Sequence, residues 1–163
     1  MVDKLDRIVR VLNVALMLLF LAGLIWLYAY MPDTLKIRMR ASDEAAFEIS
    51  KNAYFYAFLG LFTLSNLAIY ASQSLARYIA PGSSMLSVFR DSRSKSIFLL
   101  WLSSFQVAVG VMILLSYLYF GFMNTPDHQY GPRLPAMAVG PFLILLTFAI
   151  PLIGRYSPKI FDD

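Results

Sequence analysis

The stretch from Val11 to Met31 reads VLNVALMLLFLAGLIWLYAYM, with no charged residue and Asn13 as its one strongly polar member. A helix rises about 1.5 Å per residue, so a hydrocarbon layer of about 30 Å needs roughly 20 apolar residues to cross it. This stretch meets that length, and three others do as well. Ala53 to Ala71 carries Thr63, Ser65 and Asn66, Ile97 to Phe120 carries Ser103, Ser104, Gln106 and Ser116, and Leu134 to Gly154 carries Thr147 alone. A charge at the centre of an inserted helix costs roughly 2.5 to 3.5 kcal/mol, and none of the four stretches contains one. The expected fold is therefore an all-α membrane protein, one domain over 1–163, with transmembrane helices over about 8–31, 46–72, 96–121 and 134–155.

Composition agrees with that reading. Of 163 residues, 59% are hydrophobic and 15% charged, and the mean hydropathy is +0.63, far from a soluble globular profile. There is no cysteine, which removes disulfides, thiolate metal sites and thiol nucleophiles together. The net charge of +4 does not point to nucleic acid, because the basic residues flank apolar segments instead of forming one patch with interleaved aromatics.

Those basic residues set an orientation. Lys4, Arg7, Arg10, Arg77, Arg90, Arg93, Lys95, Arg155 and Lys159 fall on one side, against Lys36, Arg38, Arg40, Lys51 and Arg133 on the other. Positive residues favour the cytoplasm, so both termini are expected inside, in a bacterial inner membrane, with the first span as an uncleaved signal anchor. Trp26, Tyr28, Tyr30, Tyr54, Tyr56, Tyr117 and Tyr119 lie at span ends and read as interfacial anchors.

The connections hold most of the polar chemistry. From Thr34 to Arg40, Leu35, Ile37 and Met39 alternate with Lys36, Arg38 and Arg40, the period of an extended segment over 34–40. Such a segment suits either the edge of a partner's sheet or the headgroup layer. Ser42, followed by Asp43 and Glu44, has the form of a helix start, which would extend the second helix outward and pair Glu48 with Lys51 on its surface. The middle loop, 72–96, combines eight serines and a Pro81-Gly82 turn with Arg90, Arg93 and Lys95, a composition that attracts anionic lipid. Short interfacial helices are expected on either side of that turn. The only histidine, His128, excludes bis-histidine haem within one chain; copper at Met31, Met39, Met123 and His128 is conceivable on residue type, since thioether and imidazole suit that metal, and packing is the commoner use of methionine. No cofactor is expected.

Helices in lipid associate through small residues and scattered hydrogen bonds. Ala136, Ala138 and Gly140 in the fourth span, and Gly60 and Gly110 in the second and third, are candidate contacts, and Asn66 and Gln106 are expected to face another helix in this chain or in a partner. Pro141 and Pro151 remove backbone donors from the fourth helix, and a kink is expected near Pro141. Faint echoes between halves, such as Arg77-Tyr78 and Arg155-Tyr156, suggest a duplicated hairpin over 1–81 and 90–163.

The residues Met31-Pro32-Asp33-Thr34-Leu35-Lys36-Ile37, followed by Ser50-Lys51-Asn52-Ala53-Tyr54-Phe55, resemble the amino-terminal region of the immunity family for the sporulation-delaying toxin. There a Pro-Asp after the first helix leads through an extended loop to a Ser-Lys before the second. This chain departs in having neither glycine nor histidine between Pro32 and Lys51. The resemblance implies a small multi-pass membrane protein with an immunity or signalling role exercised through the outer loop, 32–52.

Three functions are compatible with these residues: a non-catalytic accessory or scaffold subunit of a larger membrane complex, an immunity or signalling module, and a small oligomeric transporter. An enzyme is not expected, since no serine or tyrosine has an adjacent base and Asp43, Glu44 and Glu48 read as a surface. The residues expected to meet partners are Lys36, Arg38, Arg40, Asn66, Gln106 and Gly140, with other membrane subunits and lipids as the partners.

Overall fold

The computed structural model describes residues 2–37, 47–80, 91–125 and 135–156. Their order is α1 (Val2–Tyr30), β1 (Thr34–Ile37), β2 (Phe47–Ser50), α2 (Lys51–Tyr78), α3 (Ser92–Phe122), α4 (Pro135–Thr147) and α5 (Ala149–Tyr156). Three of the helices, α1, α2 and α3, are long and apolar enough to cross a membrane.

The third of these is the central element, and α1, α2, α4 and α5 all pack on it. One stripe spaced by three and four residues, Gln106, Gly110, Ile113, Tyr117 and Gly121, is buried on it, and Ile97 and Ala108 are buried on another face, as a helix with neighbours on more than one side requires. By contrast, α1 buries one stripe, Leu16, Phe20, Leu24, Leu27 and Met31, spaced by three and four residues, and leaves Val11, Val14, Leu18 and Ile25 exposed. Close approach depends on glycine at three of these contacts, the expected Gly110 among them, where a Cβ would lie 2.6 Å from Leu16 Cδ2. A Cβ on Gly121 would lie 2.1 Å from Leu27 Cδ2, and one on Gly140 would lie 2.8 Å from the Met112 Cα, a backbone atom that cannot rotate away. Gly60, expected as a contact, has nothing within 4 Å of that position.

The strand-like alternation after the first helix folds back onto the chain itself. β1 and β2 pair antiparallel, Leu35 opposite Ile49 and Lys36 opposite Glu48, so the second helix does not start at 42 or 46 as expected. It starts at Lys51, where the Ser50 hydroxyl accepts the Ala53 N–H at 3.2 Å and the Lys51 N–H donates to the Asp33 carbonyl at 2.8 Å. Glu48 consequently faces Lys36 across the hairpin at 3.7 Å, and Lys51 sits 4.4 Å from the centre of the Tyr28 ring. Leu35 is fully buried, and the Asn124 side chain, which accepts the Lys36 N–H, fastens the hairpin to the end of α3. The proposed cap at Ser42 and the residues Arg38 and Arg40 lie outside the described residues.

At the opposite end, α2 continues through 75–78, where a separate interfacial helix was expected, and α3 begins at Ser92 with Asp91 as its cap. Lys95, expected to attract lipid, donates to the Arg77 and Ile79 carbonyls at 2.7 and 2.8 Å and so caps the end of α2. Helix α4 contains Pro141 without a break in the helix, and the fourth apolar stretch is interrupted at Phe148, between α4 and α5. Proline removes the bond to the residue four earlier and crowds its carbonyl; for Pro151 that residue is Thr147, where α4 ends.

Candidate cleft between the first two helices

Helices α1 and α2 meet only toward the hairpin end. There Phe20 stacks on Phe62 with ring centres 3.9 Å apart, Tyr28 contacts Phe55, and the Tyr28 hydroxyl donates to Asn52 at 2.7 Å. Tyr54 and Tyr117, expected as interfacial anchors, are instead the centre of this region and fully buried. Their rings stack at 5.2 Å, Tyr54 donates to the Tyr117 carbonyl at 2.6 Å, and Tyr117 donates to the Leu24 carbonyl at 2.9 Å. Two hydroxyls thereby bind three helices together, each partner being a backbone group already present in its helix. Trp26, Tyr30 and Tyr56 do point outward, each at least half exposed.

Beyond Phe20 and Phe62 the two helices part, leaving a cleft of about 650 Å³ with α3 as its floor. Its lining changes character along its length. At the deep end are Met17, Leu21, Leu59 and Phe62; in the middle are Asn13, Asn66, Gln73 and Gln106; at the mouth are Arg10 and Arg77. The carboxamides are connected: Gln73 donates to Gln106 at 3.2 Å, Gln106 donates to Asn66 at 2.8 Å, and Asn66 donates back to the Phe62 carbonyl at 2.9 Å. Gln73 and Gln106 are buried against each other, whereas Asn66 keeps part of its surface open to the cleft.

A second polar link crosses from α1 to α3. The Ser103 hydroxyl donates to Asp6 at 2.8 Å, and the other Asp6 oxygen is paired with Arg10 one turn on. That pair holds Arg10 at the mouth and leaves the rest of its planar donor fork available. The Arg77 guanidinium has no ion-pair partner among the described residues.

Of the residues expected to meet partners, Asn66 and Gln106 are therefore brought together in one chain of hydrogen bonds within this molecule. Gly140 lies on the far side of α3 against Met112, and Lys36 lies at the hairpin end. Met31, one member of the copper set, is buried and packed toward Gly121, while Met39 and His128 lie outside the described residues; no group of three or more His, Asp or Glu side chains able to hold a metal occurs among the described residues. Sequence reasoning missed Gln73 and Asp6. Gln73 lies seven residues after Asn66, two turns along the same helix face, and Asp6 lies four before Arg10; both spacings were readable. No family model matches this chain, nor does any curated protein or any solved structure.

Proposed function

We propose that the protein is a non-catalytic accessory subunit of a larger complex in the bacterial cytoplasmic membrane, with both termini inside, and that its contribution is the cleft between α1 and α2. The observation that carries this reading is the placing of the part-exposed carboxamides of Asn13 and Asn66 and two guanidinium groups in a trough that the chain's own helices leave open. Polar groups turned toward hydrocarbon are costly, so a molecule so placed calls for an occupant from outside on that flank. Three helices of spanning length and the collection of basic residues at the Arg10 and Arg77 end support the setting.

Photo-crosslinking side chains at Val14 and Leu67, on the two walls of the cleft, provide the test when the protein is purified from its own membrane in mild detergent. Co-elution with other chains is expected. Elution as a monomer, with no second protein in any crosslink, overturns the accessory role.

A second reading, an immunity or signalling module, draws support from the outer hairpin. The Pro32-Asp33 and Ser50-Lys51 segments are joined by the Lys51 to Asp33 bond, and Lys36 is displayed beside Glu48 on an exposed surface. Charge reversal at Lys36, Arg38 and Arg40 without loss of a hairpin-binding partner counts against it.

A further inference from the structure

We propose that the cleft between α1 and α2 is a binding site for one anionic diacyl phospholipid, drawn from the leaflet that contains Arg10 and Arg77. The inference rests on the cleft as the working part of the molecule, but not on the identity or presence of a partner subunit.

The argument is the order of the lining. Between walls that carry Val14, Leu67 and Tyr70, the polar groups run from the cationic Arg10 and Arg77, through the hydrogen-bonding Asn13 and Asn66, to an end where Thr63 is the one polar member beside Met17, Leu21, Leu59 and Phe62. A glycerophospholipid has the same sequence of chemistry: an anionic phosphate, then ester carbonyls that only accept, then acyl chains. Arg10 and Arg77 supply planar donor forks for phosphate oxygens, and neither is committed in full: Arg10 spends one nitrogen on Asp6, and Arg77 has no ion-pair partner among the described residues. Below them, Asn13 and the part-exposed Asn66 are placed at the level where esters would lie, and their carboxamides carry N–H donors that an ester requires. Met17, Leu21, Leu59 and Phe62 then offer a flexible apolar wall for an acyl chain, running alongside the Phe20–Phe62 stack.

The dimensions agree. From Arg10 to Leu21 the α1 wall extends roughly 16 Å at about 1.5 Å per residue, enough for a headgroup, the ester region and much of one chain. A volume of about 650 Å³ lies within the ordinary range for small-molecule sites and admits the headgroup, the glycerol and part of one chain, the rest of the lipid lying along the open side of the cleft. A partner's transmembrane helix seated in the cleft would leave the two cations at the mouth without counter-charge unless it carried an acidic residue there, so the partner of the accessory role would pack over the bound lipid, along the open side of the cleft.

Native mass spectrometry of the full chain in mild detergent tests this, with phosphatidylglycerol and phosphatidylcholine of identical acyl composition added at equal concentration. The expected result is one retained lipid per chain, with phosphatidylglycerol preferred by about tenfold or more. The double substitution Arg10→Gln and Arg77→Gln should abolish the preference, while Lys36→Gln at the far end leaves it intact. Leu67→Trp, which narrows the wall without touching the cations, should reduce retention of both lipids. Equal retention of the two lipids by the wild type, or a preference that survives the double substitution in a protein with unchanged helical content, overturns the proposal. Retention of lipid by a protein that elutes alone would refute the accessory role while upholding the site; a captured subunit without retained lipid would do the reverse.

Discussion

Single residues decide how closely the helices approach. A methyl group on Gly140 would meet the Met112 backbone at 2.8 Å, and relief requires α4 to move away from α3. Gly140→Ala is therefore expected to cost about 1 to 3 kcal/mol, the range for overpacking, read as a lower unfolding temperature in detergent. Gly60→Ala is the converse case: the position is open within 4 Å and lies inside α2, so the substitution should gain roughly 0.5 to 1 kcal/mol from reduced chain entropy and improved helix propensity. The pair separates packing from propensity with the same chemical change. Tyr117→Phe leaves the ring stacked on Tyr54 and deletes the bond to the Leu24 carbonyl, for an expected loss of about 1 kcal/mol in the same measurement. Of these three residues, only Gly140 was legible as a contact, because small residues recur on neighbouring turns there. Tyr54 and Tyr117 sit at span ends just as Tyr30 and Tyr56 do, and nothing local distinguishes a tyrosine that faces a neighbouring helix from one that faces outward. That distinction depends on how the helices are rotated about their axes, which is a property of the whole bundle.

At the scale of elements, ends and interruptions follow from individual donors and acceptors. The Asp91 carboxylate begins α3 by accepting from the Ser94 hydroxyl and, at 2.9 Å, from the Ser94 N–H; these bonds hold its pKa below the ordinary 3.8. A carboxyl with a depressed folded-state pKa stabilises the fold fully above its unfolded value and loses that contribution as pH falls through the folded one. Amide exchange at the start of α3 should consequently quicken, relative to the intrinsic rate, below about pH 4, and Asp91→Asn should remove this pH dependence while retaining a cap. The interruption at Phe148 is governed by Pro151. Pro151→Ala restores an N–H opposite the Thr147 carbonyl and removes the ring that crowds it, so exchange across 148–152 should slow as α4 and α5 fuse, whereas Pro141→Ala, in a helix already continuous, should change exchange little. The long helices were legible from apolar length. The β1–β2 hairpin was legible only in its first strand: Leu35 and Lys36 show the alternation, but Phe47-Glu48-Ile49-Ser50 is too short to separate from a helix start when Asp43 and Glu44 precede it.

For the whole molecule, the contacts fix which ends lie together. Lys36 bonds Asn124, so the hairpin, the start of α2 and the end of α3 share one end; Ser103 bonds Asp6 and Lys95 caps α2 at the other. Helices α1 and α3 therefore run parallel, with α2 antiparallel between their ends, as three successive crossings would demand. The end with Asp6 also gathers Lys4, Arg7, Arg10, Arg77, Arg93 and Lys95, against Lys36 and Lys51 among the described residues of the hairpin end. On the proposed membrane setting, the positive-inside rule would put the cleft mouth in the cytoplasmic leaflet and the hairpin at the outer surface. The cleft itself was not legible in the sequence, because it arises where α1 and α2 diverge while each still packs on α3; only its ingredients, Asn13, Asn66 and Gln106, stood out as polar residues in apolar runs. Orientation can be measured directly because the chain has no cysteine of its own, so any thiol label reports the introduced site alone. In intact cells a membrane-impermeant maleimide should label Glu48→Cys and should label Ser92→Cys only after permeabilisation. Both positions are exposed and lie outside the packed helix faces, so neither substitution should perturb the bundle. The reverse pattern would invert the orientation and place the cationic mouth of the cleft in the outer leaflet; labelling of both sites in intact cells would mean that α2 does not cross the bilayer.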